Sequence, residues 1–354
     1  MSVNNILSFV SGKSFETIKT LSNQFRIKNS GDLYLLYSKL NETPVNGIIL
    51  EKETNKVVAL NYPIIQDIKN KDQLLYLIEQ NNTTVEYCED GTIIRLYNYN
   101  NDWYTSTTKT INAITSYWSS SKSFDQLFWE LFDKQYLEKL DKNSTYFFVL
   151  LHKENRIVVK HKTNSLVYIS RMDNNNFDED DSFIFDDNSS IRKREFIDME
   201  RFKNIIKTDF PLSVSDKRGV IIKNKNDIYK IDFESYNVIK EIRGNNPEIR
   251  IRYLELLKKP ESCDLLEKLY KEYSVTFAFI KASVLKLTKN IHRLYISSHV
   301  KHELQVTSDH IYYRTLRQLH AQYKLTNNPI KFIDVYNKLV NLDIHVIKRL
   351  LNLS

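Results

Sequence analysis

Glycine and proline are scarce in this chain of 354 residues, at six each, and cysteine occurs only twice. Two cysteines, Cys88 and Cys263, cannot make a disulfide framework and carry no metal-ligand spacing, so a reducing compartment is expected. No apolar run nears the roughly 20 residues a membrane helix needs, and the opening MSVNNILSFVSGKSF does not read as a signal peptide. So few glycines make each one a position to explain, and Gly47, Gly91 and Gly219 all fall beside β-like runs. No internal repeat is present.

What the chain does have is a globular balance, 42% hydrophobic and 27% charged residues, on a length sufficient for two domains. Its net charge of +7 is uneven: residues 240–354 carry 20 Lys and Arg against 11 Asp and Glu, leaving the first 239 residues close to neutral. A basic C-terminal part suits an anionic partner, RNA being the obvious one, and equally suits a solvated surface. Asn, Lys, Ile and Tyr are abundant, and their AT-rich codons suggest an AT-rich genome such as that of a large DNA virus.

Periodicity divides the chain into a mixed α+β domain over 1–240 and an α-helical domain over 241–354. Residues 1–40 are expected to be helical, with a turn at Asn29–Asp32. Residues 45–62 read as a hairpin turning at Glu53–Asn55, and a helix is expected over 66–79. Three β-like runs follow, 84–87, 92–99 and 102–107. Residues 121–140 show helical spacing behind a Ser123 cap. Strands are expected at 146–151, 156–161, 165–171, 219–223 and 228–233, with a helix at 192–206. The acidic stretch 173–187 reads as a solvated loop. Beyond Pro247 helical periodicity persists, broken at Pro260 and at Asn327-Asn328-Pro329.

The chemistry is carried by fragments scattered in order: Val45-Asn46-Gly47-Ile48-Ile49-Leu50 with Lys56-Val57-Val58-Ala59, then Cys88-Glu89-Asp90-Gly91-Thr92, then Ser106-Thr107-Thr108-Lys109-Thr110. After these come Phe147-Phe148-Val149-Leu150 with Asn155-Arg156-Ile157-Val158, then Arg218-Gly219-Val220-Ile221 and Lys230-Ile231-Asp232. Together they resemble the single-stranded-RNA ligase family of T-even phages and large DNA viruses, within the ATP-dependent nucleotidyltransferases. The ending, with Leu319, His320 and Tyr323, resembles the helical C-terminal domain of virus-encoded members, which the family uses for RNA recognition. The resemblance implies a nucleotidyltransferase fold over 1–240. In that family, the Lys-x-Asp-Gly lysine takes the nucleotide, carboxylates hold Mg²⁺ and the ribose, and cations neutralise phosphate.

Here the chain departs from the pattern. Cys88 stands where the nucleophilic lysine is expected, Asn46 for an arginine, Val149 and Arg218 for glutamates, and Asp232 for a lysine. Asp90, Gly91, Arg156, Gly219 and Lys230 are kept, and Lys109 lies beside the lost basic position Thr108. A thiolate does not replace an amine in phosphoramidate chemistry, and a valine cannot ligate a metal. The departures together point to a decayed catalytic site, with no catalytic residue, no metal site and no cofactor. ATP and Mg²⁺ would be needed only if displaced groups, with Lys109 the best substitute nucleophile, keep the enzyme active. The retained residues also have plain readings: Asp90-Gly91 as a hairpin turn, Arg156 and Lys230 as surface cations.

In the helical part, Lys286, Lys289 and Arg293 fall on one helix face, and so do His310, Arg314 and Arg317, with tyrosines between them. Such stripes are RNA-binding candidates or simply the solvated side of helices. His299, His302 and Glu303 are too sparse to claim a metal. The expected function is a degenerate RNA-ligase-like protein, viral in type, that binds RNA or assembles a complex. It would act without a membrane, in the host-cell cytoplasm or the virion. The alternatives are an active ligase with displaced residues, and an interaction subunit of transcription or virion machinery that does not touch RNA.

Overall fold

A computed structural model describes residues 3–20, 25–38, 46–68, 70–186, 189–208, 216–224 and 227–352. Val45, which opens the first fragment, and Asp187, which ends the acidic stretch, lie outside them. The chain divides into two compact units, Met1–Lys240 and Glu241–Ser354. The first is built on three sheets and the second is helical, so the expected α+β class with a helical C-terminal region is what the structure has.

Two short helices, α1 (Val3–Val10) and α2 (Phe15–Thr20), precede a four-stranded antiparallel sheet of β1 (Phe25–Ser30), β2 (Leu33–Ser38), β3 (Asn46–Glu51) and β4 (Val57–Ala59). The turn near Gly31 falls where the sequence places it, but it joins strands rather than helices. The run Tyr34-Leu35-Leu36 is buried on both faces. It therefore shows neither strand alternation nor a helical stripe, and periodicity cannot separate the two.

The chain then moves between two further sheets. The second takes β5 (Ile65–Asp67) and β6 (Thr83–Cys88), with α3 (Lys71–Glu79) between them. The expected helix over 66–79 thus begins as a strand. Asn70 starts the helix, its side chain accepting the Gln73 N–H at 2.8 Å. The third sheet takes β7 (Thr92–Tyr99), β8 (Asp102–Ser106), β9 (Ser144–Leu151), β10 (Ser165–Asp173), β11 (Glu179–Asp180) and β12 (Ile191–Arg192). The chain returns to the second sheet with β13 (Phe196–Ile197), β14 (Gly219–Asn224) and β15 (Asp227–Asp232), giving the order β13-β6-β14-β15-β5.

Three expectations fail here for visible reasons. Residues 121–140 form α4 (Phe124–Trp129) and a 3₁₀ turn at Lys134–Lys139, not one helix. Ser123 and Gln126 build a capping box at the first start, and Asp133 caps the second. Residues 156–161 form no strand, because the Val158 and Val159 amides donate to the Asp90 carboxylate instead of a neighbouring strand. The helix expected at 192–206 is α5 (Met199–Thr208) alone, opened by Asp198, which accepts the Arg201 N–H. The residues before it pair as β12 and β13.

Aromatic side chains fill one face of the third sheet, where Phe124, Phe128, Phe132 and Tyr136 meet Phe148, Tyr168 and Phe185. The second sheet buries Val85, Val220 and Ile222 against α3, α5 and α6 (Glu234–Arg243), through Leu74, Leu77, Phe202, Ile206 and Tyr236. In the second unit, α7 (Ile249–Leu256), α8 (Pro260–Leu269), α9 (Ser274–Tyr295), α10 (Tyr313–Thr326), α11 (Phe332–Val340) and α12 (Ile344–Leu350) follow. Pro260 opens α8 at its first position, where its missing N–H costs nothing. Ile291, Leu316, Leu319, Val335, Leu339 and Leu350 make the core, while Ile333 is 53% exposed. Among the described residues, no helix is long and apolar enough to cross a membrane.

Candidate functional site

The link from β6 to β7 passes from the second sheet to the third, so Glu89-Asp90-Gly91 crosses between sheets. The hairpin reading of Asp90-Gly91 is thereby corrected. Register then fixes what faces the space between the sheets. Cys88 pairs with Gly219 and Gly219 with Asp232 across the second sheet; Ile93 pairs with Val149 and Val149 with Val167 across the third. Cys88, Gly91, Val149, Arg218 and Lys230 line one cleft. Four fragments read as separate pieces of sequence thus meet in one place.

The two kept residues of the first of these are structural. Asp90 is buried, and its Oδ2 accepts the Val158 and Val159 N–H groups, both at 2.8 Å, while its Oδ1 accepts the Tyr236 hydroxyl at 2.8 Å. Gly91 is required by close approach: a Cβ there would lie 2.5 Å from the Leu150 carbonyl oxygen and 2.6 Å from the Val149 side chain. Gly219 likewise packs against the β15 backbone.

Cys88 is 6% exposed, and burial pushes its thiol up to about 12, an effect the nearby Arg218 only partly opposes. At neutral pH it is protonated and a poor nucleophile. Val149 closes the opposite wall with a hydrocarbon.

The two charge departures at Arg218 and Asp232 belong together. Arg218 Nε donates to Asp232 Oδ1 at 2.7 Å and Nη2 to Oδ2 at 3.1 Å, a two-pronged pair. Burial works to raise the Asp232 carboxyl, but the Arg218 hydrogen bond and charge outweigh it and hold the group below the usual carboxylate range. Lys230 and Lys240 add to the same effect. Arg218 is therefore no isolated repulsive cation: the glutamate and lysine of the family pattern are exchanged for a cation and an anion that neutralise each other.

The same holds for the other cations of the cleft. Arg194 pairs with Glu86 at 2.7 Å, both side chains buried, and Lys230 pairs with Asp67. Lys217, close by, is held by Glu89 at 2.6 Å and Glu195 at 3.0 Å. The cleft lining carries three cations, Arg194, Arg218 and Lys230, against three carboxylates, Glu86, Glu89 and Glu195. ATP with Mg²⁺, which the resemblance implies, does not fit these residues. Val149 offers no metal ligand, and Arg194 and Arg218 are each already paired with a largely buried carboxylate.

Lys109 and Arg156 do not line the cleft. Lys109 is exposed, and its carbonyl accepts the Lys28 ammonium at 2.8 Å. Arg156 is 8% exposed, not a surface cation, and its Nε donates to the Val158 carbonyl at 3.1 Å. Gly47, with φ of +89°, lies against Thr108, so the first and third fragments touch.

Sequence reasoning missed the residue that ties those fragments together. Arg95 is fully buried and donates to the carbonyls of Gly47, Leu60 (3.0 Å) and Thr107 (2.9 Å) and to Ser106 Oγ (2.8 Å). Burial lowers it to about 10. Its signal was an arginine inside the run Ile93-Ile94-Arg95-Leu96-Tyr97, where a strand buried on both faces has no room for an idle charge. Glu86 with Arg194, and Tyr236, were missed as well, since their partners lie over a hundred residues away.

In the helical unit, Lys286, Lys289 and Arg293 are exposed on α9, and Arg314 and Arg317 on α10. His310 precedes α10 in a turn, so it does not share that helix face. His299, in a π-helical turn that continues α9, sits 4.7 Å from His320 between ring centroids. Tyr295 stacks on His299 at 5.2 Å, and Tyr323 on His320 at 5.9 Å. Burial lowers both imidazoles, as do neighbouring positive groups. Among the described residues, no three His, Cys, Asp or Glu side chains are placed to hold a metal ion.

No family model matches the chain. It is 22% identical over 292 residues to the immediate-early protein ICP-46 homolog of Invertebrate iridescent virus 6, and 27% identical over 270 residues to that of Invertebrate iridescent virus 3. The matches take in 75% and 71% of this chain and 63% and 59% of those proteins, so the chain spans about three-fifths of their length. It is 25% identical over 182 residues to an RNA ligase of Rhodothermus phage RM378, covering 40% of this chain and 41% of that one. Among solved structures it is similar to a putative ATP-dependent DNA ligase from Aquifex aeolicus, with a TM-score of 0.46 at 16% identity, covering 79% and 81% of the two chains. It is also similar to an archaeal ATP-dependent RNA ligase, with a TM-score of 0.45 at 11% identity, covering 79% and 78%. The resemblance read from the scattered fragments is met by these relatives: the chain is RNA-ligase-like, and its sequence relatives are proteins of viruses.

Proposed function

We propose that this chain is a catalytically degenerate, RNA-ligase-like viral protein that binds RNA through its helical unit and carries out no nucleotidyl transfer. One observation supports the first half above the rest: the nucleophile position is a buried, protonated thiol facing a valine, in a cleft whose cations are spent on internal ion pairs. The contrast with the helical unit supports the second half. There Lys286, Lys289, Arg293, Arg314 and Arg317 are exposed. Arg317 also lies over the Tyr313 ring at 5.9 Å, beside the stacked Tyr295, His299, His320 and Tyr323. Cations for phosphates beside rings for bases are the two elements of single-strand RNA recognition.

The test is affinity for a single-stranded RNA as salt is varied. If the five cations each neutralise one phosphate, the logarithm of affinity falls by about 3.5 per decade of salt, or about a hundredfold over a roughly fourfold rise. Reversing all five to glutamate is expected to abolish binding and leave the thermal transition in place. Unchanged affinity in that variant rules the stripes out. Salt-independent binding, or none by the native chain, favours the reading as a subunit that meets protein partners only.

A further inference from the structure

Between the turn that ends α9 and the start of α10, the helical unit leaves an open-sided hollow of about 300 Å³. Ser298, His299, His302, Tyr313 and Arg317 supply its polar lining, and no carboxylate belongs to it. Arg317 is the fixed charge. Its guanidinium lies over the Tyr313 ring at 5.9 Å, and no ion pair engages it among the described residues.

The two histidines are charges in reserve. Ser298 Oγ donates its one hydrogen to the Leu294 carbonyl at 2.6 Å, so at 2.7 Å it accepts from His299 Nδ1. The neutral ring therefore carries its proton on Nδ1, and the proton that charges it goes to Nε2. The groups acting on this pair of rings are all of one sign. His320 on α10 and His302 on the loop act on His299, while Lys324 and His302 act on His320. The acids of the same loop are engaged elsewhere, Glu303 with Lys301 at 3.5 Å and Asp309 with Thr307. Burial, and then these neighbouring charges, hold His299 and His320 below the ordinary histidine value, so both are neutral at pH 7.

We propose that this hollow is a phosphate site, in which Arg317, His299 and His302 hold one phosphate group, and that its affinity rises as pH falls. That RNA supplies the phosphate rests on the function proposed for the helical unit; the site itself does not. A guanidinium meets phosphate oxygens through its planar fork, and a lining with a guanidinium and no carboxylate disfavours a metal cation. A phosphate beside the imidazoles favours their charged form. Each histidine midpoint is then higher in the complex than in the free chain, and binding takes up protons between the two. Affinity is greatest below the free midpoint and falls to the share of Arg317 alone above the bound one.

The ring signals of the histidines in the full chain are followed by NMR from about pH 5 to about pH 8, with and without inorganic phosphate at constant ionic strength. Variants such as His299→Gln and His302→Gln assign the signals. Phosphate is expected to raise the midpoints of His299 and His302 by about 0.5–1 and to move the other histidines less. Affinity for a single-stranded RNA is measured beside this at about pH 5.5 and about pH 7.5. The native chain is expected to gain about tenfold at the lower pH, and the double variant of His299→Gln and His302→Gln less than about threefold. Phosphate that moves neither midpoint would overturn the site, and so would an RNA gain as large in the double variant as in the native chain. Midpoints that move with phosphate while no RNA binds at either pH would uphold the site, assign it to a free phosphate, and sink the RNA reading alone.

Discussion

Asp90→Ala is expected to destabilise the first unit by about 3–5 kcal/mol and to lower its unfolding temperature by roughly 10 °C. The carboxylate accepts three hydrogen bonds in a site that is 1% exposed. Alanine would leave two backbone N–H groups and one tyrosine hydroxyl buried without partners, each at about 1–3 kcal/mol. It would also release the segment around Val158 and Val159, whose amides have no strand to fall back on. Asp90→Asn keeps an oxygen for the two amides and is expected to lose only about 1–2 kcal/mol. Calorimetry of the two variants separates the readings. If alanine is tolerated within about 0.5 kcal/mol, Asp90 does not hold the loop, and its retention beside Cys88 needs another cause.

The second large effect is expected at the exchanged charge pair. Arg218→Glu places two carboxylates together on side chains that are 24% and 9% exposed, and is expected to cost about 2–4 kcal/mol. Asp232→Lys is expected to cost a similar amount by opposing two cations. The double variant restores one pair with its signs reversed, and is expected to recover more than half of the summed loss. Denaturant unfolding of the four proteins gives the coupling energy directly. A coupling below about 0.5 kcal/mol would mean that the two departures are independent losses. The double variant also returns to the glutamate and lysine of the family pattern, yet it is expected to gain no nucleotidyl transfer, because Cys88 and Val149 remain.

How far these features are legible from sequence depends on how far apart the interacting groups lie. The strands 84–87, 92–99, 146–151 and 165–171 are readable, since each is a short β-rich run bounded by turn residues. The N-terminal hairpin is not, because Tyr34-Leu35-Leu36 is buried on both sides and carries no period. The Val158 segment looks like a strand by composition, but its hydrogen bonds go to a side chain 68 residues away. The cleft positions Cys88, Val149 and Arg218 are found from the ordered fragments. Their physical state is not found that way, because the burial of Cys88 arises from packing between sheets. Arg218 and Asp232 look like two losses when read singly. They flank one hairpin, whose register pairs Gly219 with Asp232, so a reading by register rather than by motif brings them together. Arg95 is the opposite case: it belongs to no fragment, yet it binds two of them, at Gly47 and at Ser106 and Thr107.

The measurement closest to the central claim is the intact mass of the purified chain after incubation with ATP and Mg²⁺, beside an active ligase as control. The account predicts no added adenylyl group, because the thiol of Cys88 stays protonated and buried and no lysine stands in its place. A gain of one adenylyl group would contradict it, and mapping the modified residue, with Lys109 the first to check, would reveal a displaced nucleophile.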